Sequence, residues 1–159
     1  MLDYVDGTTE QIVVLTKFRA TAQEIATKAE SCALYLGGST PDQFNAWLRK
    51  ERRVLVGTIA AMGASMNLQQ AGSMILVDQE WSSLLMRQAE DRIHRLGITE
   101  TKDIIYVYSP GSIDELVLSA LDRKMDIHEL VDAFLAWRSD YVQTRNPHLG
   151  RPNVSRVPA

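Results

Sequence analysis

Gln88, Arg92 and Arg95 are spaced so that they could act together on one ligand. At about 100° per residue, the three side chains fall in one narrow stripe of an α-helix. Ser82–Ser83 offers capping hydroxyls before this segment and Gly97 offers a stop after it. We therefore predict a helix that ends at Gly97 and displays two guanidinium groups side by side. Such a pair is suited to binding a phosphate, because each guanidinium holds its hydrogen-bond donors in a fixed plane and keeps its positive charge.

The same segment also fits a simpler interpretation as a solvated charged face. Arg87 with Asp91, and Asp91 with Arg95, are ordinary i,i+4 pairs, each worth about 0.2–0.5 kcal/mol. An apolar arc adjoins the stripe and should face the core; it consists of Leu85, Ala89, Ile93 and Leu96. Spacing alone leaves both interpretations open.

Short apolar runs alternate with helix-favouring segments along the chain. We predict strands at 12–15, 33–36, 54–56, 74–77 and 104–108, and helices at 21–31, 41–50, 82–97, 114–124 and 128–137. This alternation is typical of an α/β fold with a mainly parallel sheet that helices cover on both faces. Ligands of such sheets bind beyond the carboxyl ends of the strands. The loops that we expect at that edge are 16–17, 37–40, 58–63 and 78–83.

The composition excludes several kinds of protein. A chain of 159 residues with 45% apolar and 23% charged residues is typical of one soluble globular domain. The net charge of −3 means that any contact with nucleic acid must be a local patch. One cysteine, Cys32, excludes an internal disulfide, and the three histidines lack ligand spacing, so we predict no metal site. Without a signal peptide or a membrane-spanning run, we expect no membrane partner and a cytoplasmic location, or a nuclear one in a eukaryote.

The two ends of the chain carry less pattern than its middle. Residues 1–10 look like a short lead-in. Residues 138–159 contain four arginines, one acid and three prolines, with little periodicity. We therefore predict a folded domain over 1–137 and a basic, disordered tail over 138–159.

Three stretches resemble motifs of the second motor lobe of superfamily 2 helicases, specifically the Swi/Snf-type translocases. Residues 88–97, QAEDRIHRLG, resemble the family's last motif, Q-A-x-D-R-x-H-R-x-G, in the form closest to its annealing-helicase branch. Residues 58–68 resemble the preceding motif, in which a Thr or Ser ends a strand and a Gly-rich loop leads to Asn-Leu. Residues 77–81, VDQEW, resemble the strand with Asp and Trp between the two. The resemblance covers about residues 10–137, with the motifs in the family's order.

The resemblance implies a RecA-like lobe and assigns roles around a nucleotide. Arg92 and Arg95 would be arginine fingers that reach ATP bound between two lobes and stabilise charge on the transferred phosphoryl group. Gln88 would hydrogen-bond near the nucleotide and help to orient the arginines. Gly63 would let the backbone approach a ligand closely.

The resemblance also implies contacts with DNA. Thr58 and the nearby amides would contact the phosphate backbone, which positions the nucleic acid without reading its sequence. Three further residues are weaker candidates for contact with the same phosphate backbone, and plain capping is an equal alternative for them: Lys17, Ser39 and Thr40.

The chain departs from the family's pattern in several places. Ser65 stands where the family usually has Gly, Ile98 replaces the usual Gln, and Ser82–Ser83 replaces Asn-Pro. More important, the sequence contains no G-x-x-x-x-G-K-[ST] loop and no Asp-Glu-x-His box. Asp78 is therefore more simply structural than a magnesium ligand. ATP and Mg²⁺ would be held mainly by a first lobe that this chain does not contain.

We therefore interpret the chain as the second motor lobe of an ATP-dependent DNA helicase or translocase. Its partners would be DNA and an N-terminal helicase lobe, in the same polypeptide or a separate one, and the isolated chain should have no appreciable ATPase activity. The alternative is a non-catalytic DNA- or protein-binding module derived from such a lobe. A nucleotide-binding domain unrelated to helicases would have to match three motifs in order by chance. The motif order favours the phosphate-binding interpretation of Gln88, Arg92 and Arg95 over the solvated face. The arginines would then point outward, toward a nucleotide that another lobe holds.

Overall fold

The computed structural model describes residues 1–62, 66–80, 82–94, 101–123 and 125–144. It forms two compact units, which divide after Pro110. The first unit contains a five-stranded sheet in the order β2-β3-β1-β4-β5, in which every neighbouring pair is parallel. Its strands are β1 (Ile12–Thr16), β2 (Cys32–Tyr35), β3 (Val54–Thr58), β4 (Ser73–Leu76) and β5 (Asp103–Tyr106). The predicted parallel α/β fold is confirmed.

The three central strands are buried along their whole length. All five residues of β1 and β3 and all four of β4 are buried. This is the burial expected of a parallel sheet covered on both faces, and it explains why these strands read as continuous apolar runs. The edge strand β5 is more exposed, with solvent reaching both of its ends.

Among the described residues of the first unit, five helices accompany the sheet. They are α1 (Leu2–Gly7), α2 (Arg19–Lys28), α3 (Asp42–Leu48), α4 (Ile59–Met62) and α5 (Ser83–Glu90). The short helices α1 and α4 were not predicted from the sequence. The Arg53 guanidinium holds α1 by donating to the carbonyls of Val5 and Thr8 at 2.6 and 2.9 Å. Val5 is fully buried, so the predicted lead-in is part of the core.

Helix α5 begins as predicted but ends earlier. Its cap is Ser82, whose hydroxyl accepts the N–H of Leu85 at 3.4 Å. The helix ends at Glu90 rather than Gly97, and the N–H groups of Arg92 and Ile93 bond to carbonyls three residues back, at 3.2 and 3.1 Å. These shorter-range bonds tighten the chain into a turn, so Arg92 does not continue a regular helical stripe.

The apolar arc of α5 is also rotated from the prediction. Ala89 and Ile93 are fully buried as expected, but Leu85 is exposed and Met86 is buried in its place. The Met86 sulfur accepts the N–H of Glu80 at 3.3 Å, which fixes the buried position of this side chain. Leu96 lies outside the described residues.

The second unit begins at Gly111 and contains α6 (Ile113–Arg123) and α7 (Ile127–Thr144). Helix α7 continues through 138–144, a segment that the sequence analysis assigned to the start of a basic, disordered tail. Phe134, Trp137 and Tyr141 recur at three- and four-residue spacing and stack along α7, with ring centroids 6.2 and 5.0 Å apart. Residues 145–159 lie outside the described part. In the part that is described, no helix combines the length and the hydropathy needed to cross a membrane.

Candidate functional site at the carboxyl edge of the sheet

The strand register brings the predicted site loops to one edge of the first unit. Thr16 at the end of β1 lies opposite Thr58 at the end of β3, and Leu15 lies opposite Leu76 of β4. The segments 16–18, 36–40, 58–62 and 77–80 therefore follow strands that end together. We call this group of segments the carboxyl edge. It is the edge at which open parallel sheets bind ligands.

Asp78 ties two of these strand ends together. Its Oδ2 accepts hydrogen bonds from the Thr16 hydroxyl and from the N–H of Lys17, the latter at 3.1 Å. The Thr16 oxygen in turn accepts the N–H of Phe18 at 3.3 Å. Thr16 is fully buried, which adds to the cost of breaking these bonds. Asp78 thus has a structural role, in agreement with its interpretation from the sequence.

Lys17 has an acidic partner that the sequence did not reveal. Its Nζ lies 3.2 Å from Oε2 of Glu80, and both side chains remain partly exposed. The charge proposed for a DNA phosphate is therefore already paired. No local pattern could have shown this, because the two residues are 63 positions apart.

Ser39 and Thr40 are used in the turn after β2. The Ser39 hydroxyl accepts the N–H of Leu36 at 2.9 Å, and the Thr40 hydroxyl donates to the Asp42 carboxylate at 3.0 Å. Gly38 has a positive φ of 85° in this turn, a conformation that glycine adopts at little cost. These bonds support the local capping role that the sequence left open, while a contact with DNA stays a prediction.

Thr58 has little solvent-accessible surface with which to contact DNA. Its side chain is buried, and its oxygen accepts the N–H of Ala61 at 3.3 Å. Gly57 before it was not singled out in the sequence, yet a Cβ there would lie 2.1 Å from the Met62 sulfur and 2.5 Å from the Tyr35 carbonyl oxygen. A side chain at position 57 would therefore collide with the neighbouring strand and with α4.

The structure describes two of the three residues of the predicted arginine site, Gln88 and Arg92. Gln88 is exposed on α5 and Arg92 is partly buried in the turn that follows. The Arg92 carbonyl accepts the N–H of Leu68, a fully buried residue, at 3.3 Å. This bond joins the segment after α4 to the arginine turn. Arg95 and Gly63 lie outside the described residues, so the predicted trio is only partly placed.

A second contact holds the end of α5 against the sheet. The Tyr106 hydroxyl on β5 donates to Oε1 of Glu90 at 2.6 Å. Partial burial raises the pKa of Tyr106 well above its usual range, and the hydrogen bond and negative charge of Glu90 raise it further. Sequence reasoning missed this pair, whose members belong to different elements.

Cys32 is poorly suited to nucleophilic chemistry. Burial raises the pKa of its thiol to about 11, although a backbone hydrogen bond to Val56 and the charge of Arg52 oppose the change. The thiol is therefore protonated near neutral pH, and the reactive thiolate is scarce. Cys32 is partly buried and packs against the core, whereas the sequence interpretation made it a small core residue.

Known proteins resemble this chain over part of their length. The DNA repair protein rad5 of Emericella nidulans is 31% identical over 132 residues, which cover 77% of this chain and 11% of that protein. The probable ATP-dependent DNA helicase CHR23 of Arabidopsis thaliana is 39% identical over 67 residues, which cover 42% of this chain and 6% of that protein. The chain thus spans about a tenth or less of these relatives. No family model matches it.

A solved structure has the same fold. The crystal structure of the C-terminal part of the Fun30 ATPase domain matches with a TM-score of 0.67 and 19% identity, over 87% of this chain and 49% of that one. At this identity the match shows the fold alone, which is RecA-like.

Proposed function

Because the chain is related to the Swi/Snf-type helicases over part of its length, we propose that it is the second motor lobe of an ATP-dependent DNA helicase or translocase. In this role it would complete an ATP site held mainly by a first lobe, and it would contact the DNA along which the motor moves.

The hydrogen bond between Leu68 and Arg92 carries the proposal. It joins residues 24 positions apart, one in each of the two segments that resemble the family's last two motifs. The first segment includes Thr58, which we assign to the DNA backbone, and the second includes Arg92, which we assign to ATP. A direct backbone bond between them gives a physical route by which a change at the nucleotide could move the DNA contact.

The residues of this chain fit a supporting role toward ATP and Mg²⁺ rather than a primary one. No lysine follows a glycine in the sequence, so a phosphate loop is absent. Among the described residues, no three acidic, histidine or cysteine side chains gather in a way that could hold a metal ion. Bound Mg²⁺ would supply charge neutralisation on the phosphates. In this proposal the first lobe provides the metal ligands.

Arg92 and Arg95 would stabilise the negative charge that develops on the transferred phosphoryl group. Their guanidinium groups keep their charge at any physiological pH and present planar donors to phosphate oxygens. Gln88, exposed one turn before Arg92, would hydrogen-bond near the nucleotide and help to orient the arginines. Gly63 would allow the close approach of backbone to ligand.

The carboxyl edge would contact the phosphate backbone of DNA. Lys17 could exchange its partial pairing with Glu80 for a phosphate, since an exposed ion pair is worth at most about 1 kcal/mol. Because Thr58 is buried, its segment would act mainly through backbone N–H groups. Ser39 and Thr40 would add donors from the neighbouring turn.

The experiment is to substitute Arg92 in the chain combined with its first lobe, DNA and ATP. Arg92→Ala should lower ATP turnover by about 10³-fold or more, because an arginine finger is worth about 10³–10⁵ in rate. Arg87→Ala is the matched control, since it removes an exposed arginine of α5 that lies outside the trio. Equal and small effects of the two substitutions would contradict the proposed role. DNA binding without any hydrolysis would support the alternative of a non-catalytic binding module.

A further inference from the structure

Phe18 is an exposed aromatic side chain at the carboxyl edge. It is 55% exposed, immediately after β1 and before α2. Lys17 and Arg19 flank it in the sequence. A single exposed apolar residue is ordinary on a protein surface, so exposure alone implies nothing. Its support and its neighbours distinguish Phe18 from the other exposed apolar residues.

The backbone on both sides of Phe18 is fixed. Its N–H bonds to the buried Thr16 hydroxyl at 3.3 Å, and Lys17 before it donates to Asp78 at 3.1 Å. Its carbonyl accepts the N–H of Ala22 at 3.1 Å, the first bond of α2. The phenyl ring is therefore presented on a rigid turn rather than on a mobile loop, which lowers the entropy cost of binding through it.

Phe18 also lies between two groups of polar side chains that we propose for the DNA backbone. Arg19 donates to the carbonyl of Gly37 at 3.1 Å, and this contact brings the turn with Ser39 and Thr40 beside the start of α2. Lys17 precedes the ring on the other side. An exposed ring flanked by cations and hydroxyls is the combination that binds a base by stacking and its phosphates by charge.

We propose that Phe18 stacks on an unpaired base of DNA. The proposal rests on the function proposed above, and it adds both a base contact and a preference for DNA that contains an unpaired base. The contact would be indifferent to sequence, because every base has a π-face. It would give a role to an aromatic ring that is 55% exposed between Lys17 and Arg19.

The test measures the affinity of the chain for labelled DNA with three substitutions at position 18. Phe18→Ala and Phe18→Leu should weaken binding to single-stranded DNA by about 5- to 150-fold, the loss expected for one base–aromatic stack. Phe18→Tyr should retain the affinity because it keeps the ring. Leu84→Ala, which removes the 63% exposed apolar side chain of α5, is the matched control and should change nothing.

The form of the DNA separates stacking from other contacts. On a strand of the same length with abasic positions, the penalty of Phe18→Ala should disappear. On a fully paired duplex the penalty should stay below about 2-fold. The dependence of affinity on salt should be the same for wild type and Phe18→Ala, because the number of phosphate contacts is unchanged.

Several results would overturn the inference. One is equal affinity of wild type and Phe18→Ala, and another is an equal penalty on abasic or fully paired DNA. A third is a loss confined to association with the first lobe, which would identify the ring as a protein contact. If the wild-type chain binds no DNA at all, the DNA-contacting part of the proposed function fails together with the inference. Salt-dependent binding that is insensitive to position 18 refutes the inference alone.

Discussion

At the scale of single residues, the carboxyl edge shows which roles local sequence can indicate. The capping bonds of Ser39 and Thr40 span two or three positions, so the sequence could offer capping as an alternative. The pairing of Lys17 with Glu80 spans 63 positions, and it depends on β1 and β4 lying side by side. Residue types in the sequence therefore indicate a candidate surface. Which of its charges are paired is visible only in the folded structure.

Glu80→Gln should strengthen DNA binding by about 2- to 5-fold at low salt. The substitution releases Lys17 from an exposed ion pair worth at most about 1 kcal/mol and removes a negative charge from the proposed track. The slope of log affinity against log salt should steepen by up to about one charge. The measurement is a DNA titration at several salt concentrations.

Glu51→Gln is the control for this prediction. Glu51 pairs with Arg49 at 2.6 Å just before β3 begins, at the opposite edge of the sheet. The same change in net charge occurs there without any effect on Lys17. An equal gain of affinity from both substitutions would mean that only the net charge matters, and would contradict a specific contact through Lys17.

At the scale of elements, the burial of a strand or helix decides whether the sequence alone can predict it. The strands β1, β3 and β4 were predicted because strands buried on both faces read as unbroken apolar runs. Helix α1 was missed because its six residues are too few for a periodic pattern, and its end is held by Arg53, far away in sequence. The end of α5 was misplaced because Gly97 is a strong local stop signal, whereas the chain tightens into a turn seven residues earlier.

Gly57→Ala should destabilise the first unit by about 1–3 kcal/mol, the usual cost of overpacking a core. The added Cβ would meet the Tyr35 carbonyl at 2.5 Å, and Tyr35 is the register partner of Gly57 on β2. The neighbouring strand cannot move away without losing its pairing with β3. The measurement is urea unfolding, with the free energy of unfolding compared between variants.

Gly7→Ala provides the matched control, because a Cβ at this last residue of α1 meets nothing within 4 Å. It should be neutral or slightly stabilising. If both substitutions lower the free energy of unfolding by the same amount, the close packing at position 57 is not what makes Gly57→Ala destabilising.

The Tyr106–Glu90 contact predicts a pH dependence of stability. The pKa of Tyr106 is raised in the folded state, so the folded chain keeps this proton at pH values where the unfolded chain has lost it. Its stabilising contribution is therefore complete below about pH 10 and is lost as the pH rises above that value. Unfolding by urea at about pH 9 and about pH 11 should show a fall in stability that is smaller in Tyr106→Phe. The same fall in both proteins would show that Tyr106 does not cause it.

At the scale of the whole molecule, the chain divides into a sheet unit and a helical unit, while its relatives extend far beyond it. The motif order, rather than any bulk property, indicated the helicase lobe, since the composition is ordinary and the net charge is −3. The second unit was predicted less well, because α7 continues seven residues past the expected boundary at 137. Its aromatic stack falls at a helical spacing that favours this continuation. The roles of the arginines follow from the resemblance and are proposals that a functional measurement must test.

The most direct test is ATP turnover by the purified chain, by its first lobe, and by the two together with DNA. We expect no appreciable turnover by this chain alone, because it lacks the phosphate loop, and DNA-stimulated turnover by the combination. Turnover by the isolated chain that Arg92→Ala abolishes would contradict its role as a second motor lobe, because the nucleotide would then be held without a first lobe.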